Sequence, residues 1–225
     1  NSFSQTFNPA TRFNSRVGGK AITPMVIRTM SVAGFRAPSP HRQCLYPIFA
    51  HIPGLKVVLP SNDYEAKGLL AQAMRDDDPV IFFEPKRLYN GPFDGWHEQP
   101  VQPWSKHPAS DVPDGYYTGP LGKARTGRAG DDLTVLTYGT MAHVALAAAD
   151  HASVDAEIID LRTLVPLDIE AIVESVNKTG RCVVLHEATR TSGFGAELVA
   201  LVQEHCFYRL EGPIQRVTGG DTPPP

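Results

Sequence analysis

Apolar positions along this chain alternate between short β-rich runs and stretches at helical spacing. In the first third, Met25–Thr29 (MVIRT), Leu55–Leu59 (LKVVL) and Val80–Glu84 (VIFFE) read as strands. Between the last two, Ala66, Leu69, Leu70 and Ala73 recur at helical spacing and predict a helix over 62–75. Ser61 reads as its N-cap, and Asp63 and Glu65 suit the positive end of the helix dipole. A short helix over Tyr46–Ile52 is stopped by Pro53-Gly54. Strand, helix and strand in this order predict a parallel βαβ unit with a right-handed crossover. A second series starts at Asp131. Its strands are Leu133–Tyr138, Ala156–Leu161, Cys182–His186 and Ile214–Thr218; its helices are Thr140–His151, Asp168–Asn177 and Gly195–His205. That order predicts a doubly wound α/β unit.

Residues 90–130 break the pattern. They are rich in Pro and Gly and carry Trp96, Trp104, Tyr116 and Tyr117. A long structureless stretch is uncommon inside a compact domain, so this one reads as a linker that packs on the surface through its aromatics. The expected organisation is a first unit over 1–89, a linker over 90–130 and a second unit over 131–225. Residues 1–20 are polar and read as a frayed helix end or a disordered lead-in.

Composition removes several function classes. The 225 residues are 42% hydrophobic and carry a formal net charge of -3 with no Lys/Arg cluster, which argues against nucleic acid. No apolar run approaches the ~20 residues that span a bilayer, and the N-terminus lacks the order of a signal peptide. Cys44, Cys182 and Cys206 are far apart and odd in number, so a zinc site is disfavoured; Cys182 and Cys206 read as small buried hydrophobes in a reducing, intracellular setting.

The chemistry-bearing residues each admit two readings. His41, beside Arg42 and Gln43, is either a surface-loop histidine or a proton-transfer group. His51 reads as a packed, hydrogen-bonded core histidine. Gly193-Phe194-Gly195 opens a helix after a strand; it is a tight turn or a phosphate-binding turn, and the full G-x-G-x-x-G is absent because position 198 is Leu. Asp76-Asp77-Asp78 at a helix C-terminus opposes the dipole, so it is a solvated turn or holds a cation. His186-Glu187, with Arg190 close behind, sits where open sheets place ligands; a buried ion-pair network between the units explains it as well as catalysis does.

Several long segments carry a resemblance: HRQCLYPIFAHIPGLKVVLPSNDYEAKGLL, DDDPVIFFEPKRLYNGPFDG, WSKHPASDVPDGYY, LTVLTYGTMAHVALAA, AEIIDLRTLVPLDIEAIVESVNKTGRCVVLHEATRTSGFGAELVALVQEHCF and PIQRVTGGDTP. From about Arg16 to Pro223 the chain resembles the beta subunit of the thiamine-diphosphate-dependent first component of 2-oxo acid dehydrogenases, and among them the branched-chain (2-oxoisovalerate) members, especially the bacterial form. The resemblance implies a transketolase-like α/β fold: part of a pyrimidine-binding domain, then a doubly wound C-terminal domain. It implies a heterotetramer of two alpha and two beta subunits, thiamine diphosphate bound where alpha meets beta, magnesium held mainly by the alpha subunit, and acyl transfer to a lipoyl group on an acyltransferase core. His41 matches the histidine of the family's His-Ser-Gln motif, which assists that transfer. Positions matching a potassium site in several members are Thr23, Met25, Val26, Ala73 and Asp76, with Asp78 contributing. Glu211 falls where some members meet the acyltransferase. The setting implied is bacterial cytoplasm or, in a eukaryote, the mitochondrial matrix.

The chain also departs from the pattern. The family's N-terminal segment, with the glutamate that activates the cofactor, is expected to precede Asn1, and a final segment to follow Pro225. The loop before His41, SVAGFRAPSP, has lost glycines, and Arg42 stands where the motif has Ser. Two other functions stay open on the sequence: a non-catalytic assembly and acyltransferase-docking module with a degenerate site, and a pyruvate dehydrogenase-type or other transketolase-superfamily enzyme.

Overall fold

The computed structural model describes residues 9–13, 16–31, 43–89 and 110–222. Its first sheet contains β1 (Val26–Ser31), β2 (Lys56–Val58) and β3 (Val80–Pro85), and its second contains β4 (Arg125–Arg128), β5 (Leu133–Thr137), β6 (Ala156–Asp160), β8 (Cys182–Thr189) and β9 (Gln215–Gly219). One short strand, β7 (Thr163–Val165), comes from the second half of the chain but closes the first sheet, whose order is β1-β3-β2-β7. The second sheet has the order β4-β6-β5-β8-β9. β1, β2 and β3 run parallel, as the βαβ reading expects, and β7 pairs antiparallel to β2. In the second sheet only β4 is antiparallel.

Among the described residues these helices join the strands: α1 (Tyr46–Ala50), α2 (Asp63–Ala73), α3 (Met141–Ala152), α4 (Ile169–Thr179) and α5 (Gly195–Cys206). Successive strand residues point to opposite faces, and the second sheet uses this fully. Val135 and Ile158 pack under Ala145 and Ala149 of α3, while Leu136, Ile159 and Val184 pack under Ile172 and Val176 of α4 and Leu198 and Val202 of α5. That is the doubly wound arrangement. In the first sheet, Val58, Val80 and Phe82 meet Leu69 and Ala73 of α2. The opposite face, Val57, Ile81 and Phe83, joins the same apolar cluster as Leu136, Leu161 and Leu198. One core therefore runs through both sheets.

The stretch preceding β4 is not a free tether. Residues 113–119 lie along α2: Tyr117 stacks on Tyr64 at 4.7 Å between ring centroids, and Gly119 N–H donates to the Gly68 carbonyl at 2.9 Å. Arg75 lies over the Tyr116 ring at 4.4 Å. Gly68 is needed for this crossing, since a Cβ there would lie 2.9 Å from Tyr117 Cε2. Trp96 and Trp104 fall outside the described residues. The N-cap of α2 is Asn62, not Ser61: Asn62 Oδ1 accepts from Glu65 N–H at 2.9 Å. Both residue types cap well; Ser61 is diverted because its hydroxyl bonds Asp160 Oδ2 at 2.5 Å across the seam between the sheets.

Candidate functional site

Parallel strands deliver their carboxyl ends to one edge, and here the edges of the two sheets meet. Ser31 ends β1, Leu59 follows β2 and Pro85 ends β3; Tyr138 and Thr140 follow β5, and Glu187 lies in β8. With Tyr46, the first residue of α1, these residues enclose a small cavity. Tyr46 meets Tyr138 edge-on at 5.4 Å, and Tyr138 stacks on His186 at 6.2 Å. Open α/β sheets bind ligands at such carboxyl edges.

Burial governs the electrostatics. It pushes the Glu187 carboxyl up to about 7, against the pull of the Arg87 guanidinium. Burial, with the Glu187 charge adding to it, pushes the Cys44 thiol up to about 12. The Tyr46 and Tyr138 phenols are raised mainly by burial too. At neutral pH the site thus presents neutral phenols, a neutral thiol and a carboxyl poised between its two forms. It suits holding and passing protons; a thiolate nucleophile at Cys44 does not fit.

The Gly193–Gly195 turn is explained without a phosphate. A Cβ at Gly195 would lie 2.5 Å from His186 Cδ2, and one at Gly193 would lie 2.9 Å from His186 Cε1. The two glycines let α5 close onto a buried imidazole. Burial, with Arg216 adding, holds His186 at about 4, so the ring is neutral. Arg190 is not its partner or that of Glu187: Arg190 is exposed and its Nη1 donates to the Arg216 carbonyl at 3.4 Å. The positive charge that pulls on the Glu187 carboxyl is that of Arg87, which follows β3 of the first sheet.

Beside this site the two units are clamped by charges that the sequence did not single out. Arg162 Nη1 lies 2.6 Å from Glu65 Oε2, with both residues buried. The same guanidinium donates to the Lys123 carbonyl at 2.6 and 3.1 Å. His143 Nε2 bonds the Ser61 carbonyl at 2.6 Å. Asp160, next to them, is pushed up to about 6 by burial, against Ser61, Arg125 and Arg162.

His41 and Arg42 lie outside the described residues. The six potassium-site candidates come together at the C-terminal end of α2 and the start of β1: Thr23 N–H donates to the Asp77 carbonyl at 3.0 Å, Val80 N–H to Met25 at 2.8 Å, and Asp76 N–H to Ala73 at 3.2 Å; Val26 pairs with Val80. The cation that the acidic turn asks for is present as Lys56, whose ammonium lies 2.6 and 2.7 Å from the Asp76 carboxylate and 3.2 Å from Asp78. Burial lowers the Lys56 pKa, but the hydrogen bonds and charges of the two carboxylates outweigh it and the net shift is upward. Glu211 is exposed and pairs with Arg181 at 3.0 Å. His51 corrects the sequence reading. It caps α1 and is exposed, because Pro53-Gly54 turns the chain back before its side chain can enter the core.

Residues 1–92 match the model of the transketolase pyrimidine-binding domain, and residues 122–225 match that of the transketolase C-terminal domain. The chain thus carries the two transketolase-type domains, in that order along the sequence. A solved transketolase, a split-gene protein described as an inactive beta4 tetramer, superposes with a TM-score of 0.67 at 20% identity, over 95% of this chain and 64% of its own. This likeness shows the transketolase fold alone. The 2-oxoisovalerate dehydrogenase subunit beta of Pseudomonas aeruginosa is 61% identical over 98% of this chain. The acetoin:2,6-dichlorophenolindophenol oxidoreductase subunit beta of Cupriavidus necator is 46% identical over 99% of it, and the pyruvate dehydrogenase E1 component subunit beta of Bacillus subtilis 41% over 94%. The chain spans 63%, 62% and 61% of these three relatives' lengths. Among the described residues no helix is long and apolar enough to cross a membrane.

Proposed function

We propose that this chain is part of the beta subunit of a branched-chain 2-oxo acid dehydrogenase, acting with an alpha subunit on 2-oxoisovalerate-type acids and passing the acyl group to a lipoyl arm. The observation that carries this is the 61% identity, sustained over nearly the whole chain, to a 2-oxoisovalerate dehydrogenase beta subunit, against 46% and 41% for the acetoin and pyruvate relatives. We divide the chain into a partial pyrimidine-binding unit over 1–89, a connecting stretch over 90–130 and a C-terminal unit over 131–225.

Thiamine diphosphate, when bound, supplies the electron sink for decarboxylation. The cavity beside Glu187 is too small for its diphosphate. By the resemblance, thiamine diphosphate is shared with the alpha subunit, which would hold most of the magnesium contacts, while this chain supplies the protein wall at the sheet edges and His41 as a proton-transfer group. A potassium ion at the end of α2 would rest on carbonyls of Thr23, Met25, Val26, Ala73 and Asp76, because Lys56 already neutralises the Asp76 and Asp78 carboxylates. The buried Thr23 hydroxyl, which has no hydrogen-bond partner among the described residues, supports a ligand there. Glu211 is the proposed contact to the acyltransferase, and the proposed compartment is the bacterial cytoplasm or the mitochondrial matrix.

The test is reconstitution of the full-length protein with its alpha subunit and thiamine diphosphate, offering 2-oxoisovalerate, pyruvate and acetoin in turn. Preferred turnover of 2-oxoisovalerate supports the reading. Preference for pyruvate or acetoin moves the chain to those branches, and an assembled but inert complex identifies a docking module.

A further inference from the structure

The cavity where the two sheets meet is lined from both of them: Ser31, Tyr46 and Pro85 on one side, and Tyr138, Thr140 and Glu187 on the other. Four of its polar atoms are buried without a well-formed hydrogen bond among the described residues: Tyr46 Oη, Tyr138 Oη, Thr140 Oγ1 and Glu187 Oε1; the two phenols lie near enough to interact with each other. Each of the four atoms loses its water on folding, and leaving it without a partner costs more than immobilising one water molecule. The three hydroxyls can each donate or accept, and the carboxyl offers an acceptor oxygen.

The volume open to the centre of a water molecule is about 10 Å³. That is close to the room one water needs. The cavity is also polar enough to give a water its usual two to four partners.

We propose that this cavity is a binding site for one ordered water molecule, which joins the two α/β units by bridging the Tyr46 and Tyr138 phenols, the Thr140 hydroxyl and the Glu187 carboxyl. Thr140 is free for this role because its side chain makes no capping bond at the start of α3. The upward shift of the Glu187 carboxyl agrees with a group that spends much of its time neutral and shares its proton with a bridging water. This site is independent of which 2-oxo acid the protein uses.

High-resolution crystallography of the full-length protein tests it, on the native form and on Glu187→Gln and Glu187→Leu. A density peak within about 3.2 Å of at least three of the four atoms is expected in the native form. Glu187→Gln retains an acceptor and should keep the peak, whereas Glu187→Leu should lose it. If Glu187→Leu does not fold, Thr140→Val serves instead, with loss or displacement of the peak expected. Direct hydrogen bonds between Glu187 and the hydroxyls with no peak between them would overturn the proposal. So would a peak whose anomalous signal marks a metal ion.

Discussion

Replacing Arg162 by Ala removes the centre of the clamp between the two units. Both residues carry a Cβ, so the positive φ of 56° at this position is strained equally before and after, and the change reads the side chain alone. Glu65, 3% exposed, loses its 2.6 Å partner and among the described residues keeps Arg125 at 3.7 Å. The Lys123 carbonyl loses two donors. Removing one member of a buried pair costs about 3–5 kcal/mol; the remaining Arg125 places this case near the lower end. A loss of about 3 kcal/mol lowers the folding equilibrium constant on the order of 10²-fold. The assay is urea unfolding of the full-length protein at fixed concentration, since assembly shifts apparent stability. Arg162→Lys keeps the charge but not the fork that reaches Lys123, and should lose about 1–2 kcal/mol. As a control, Arg128→Ala breaks a pair to the exposed Asp150 and should cost under about 1 kcal/mol. If Arg162→Ala costs no more than Arg128→Ala, the clamp is not what holds the units together.

Other substitutions test the remaining parts. Gly195→Ala drives a methyl into His186 and should cost about 1–3 kcal/mol by thermal unfolding; adding His186→Ala should recover part of the loss, and an additive double mutant would refute the contact. Gly68→Ala should push the Tyr117 strap off α2 and expose residues 110–120 to protease; unchanged cleavage there would contradict the packing. Asp160 has a folded pKa of about 6, above its unfolded value, so its protonated form is the one that folding favours. Its contribution is fully present below about pH 4 and is lost as pH rises through 6. Asp160→Asn should therefore flatten the stability profile between pH 4 and 6, and an unchanged profile would exclude Asp160 as its source.

Much of the fold could be read from apolar runs, and what escaped did so for local reasons. β2, β3, β5, β6 and β8 are buried strands whose side chains announce them. β4 is Arg-Thr-Gly-Arg, an exposed edge with no apolar period, so it passed as linker. β7 has three residues, and its partner Val57–Val58 lies over a hundred positions earlier, a pairing no local window contains. The acidic turn left solvent and a cation open as partners, and the sequence could not show that Lys56, on a neighbouring strand, pairs with Asp76 and Asp78. Arg190 stands beside His186-Glu187 in sequence, but in the fold the charge that acts on Glu187 is that of Arg87, a hundred residues earlier. The Glu65–Arg162 clamp gave no signal beyond two ordinary charged residues, since burial is what makes them matter.

The role assigned to His41 meets its sharpest check in single-turnover kinetics with 2-oxoisovalerate, using the full-length protein, its alpha subunit and a lipoylated acceptor. In His41→Ala, CO2 release should persist while transfer of the acyl group to the lipoyl arm falls by about 10²-fold or more, the scale of losing a positioned proton-transfer group. Equal rates of lipoyl acylation in the native and His41→Ala complexes would contradict the assignment. Absence of CO2 release from a correctly assembled native complex would contradict the function itself.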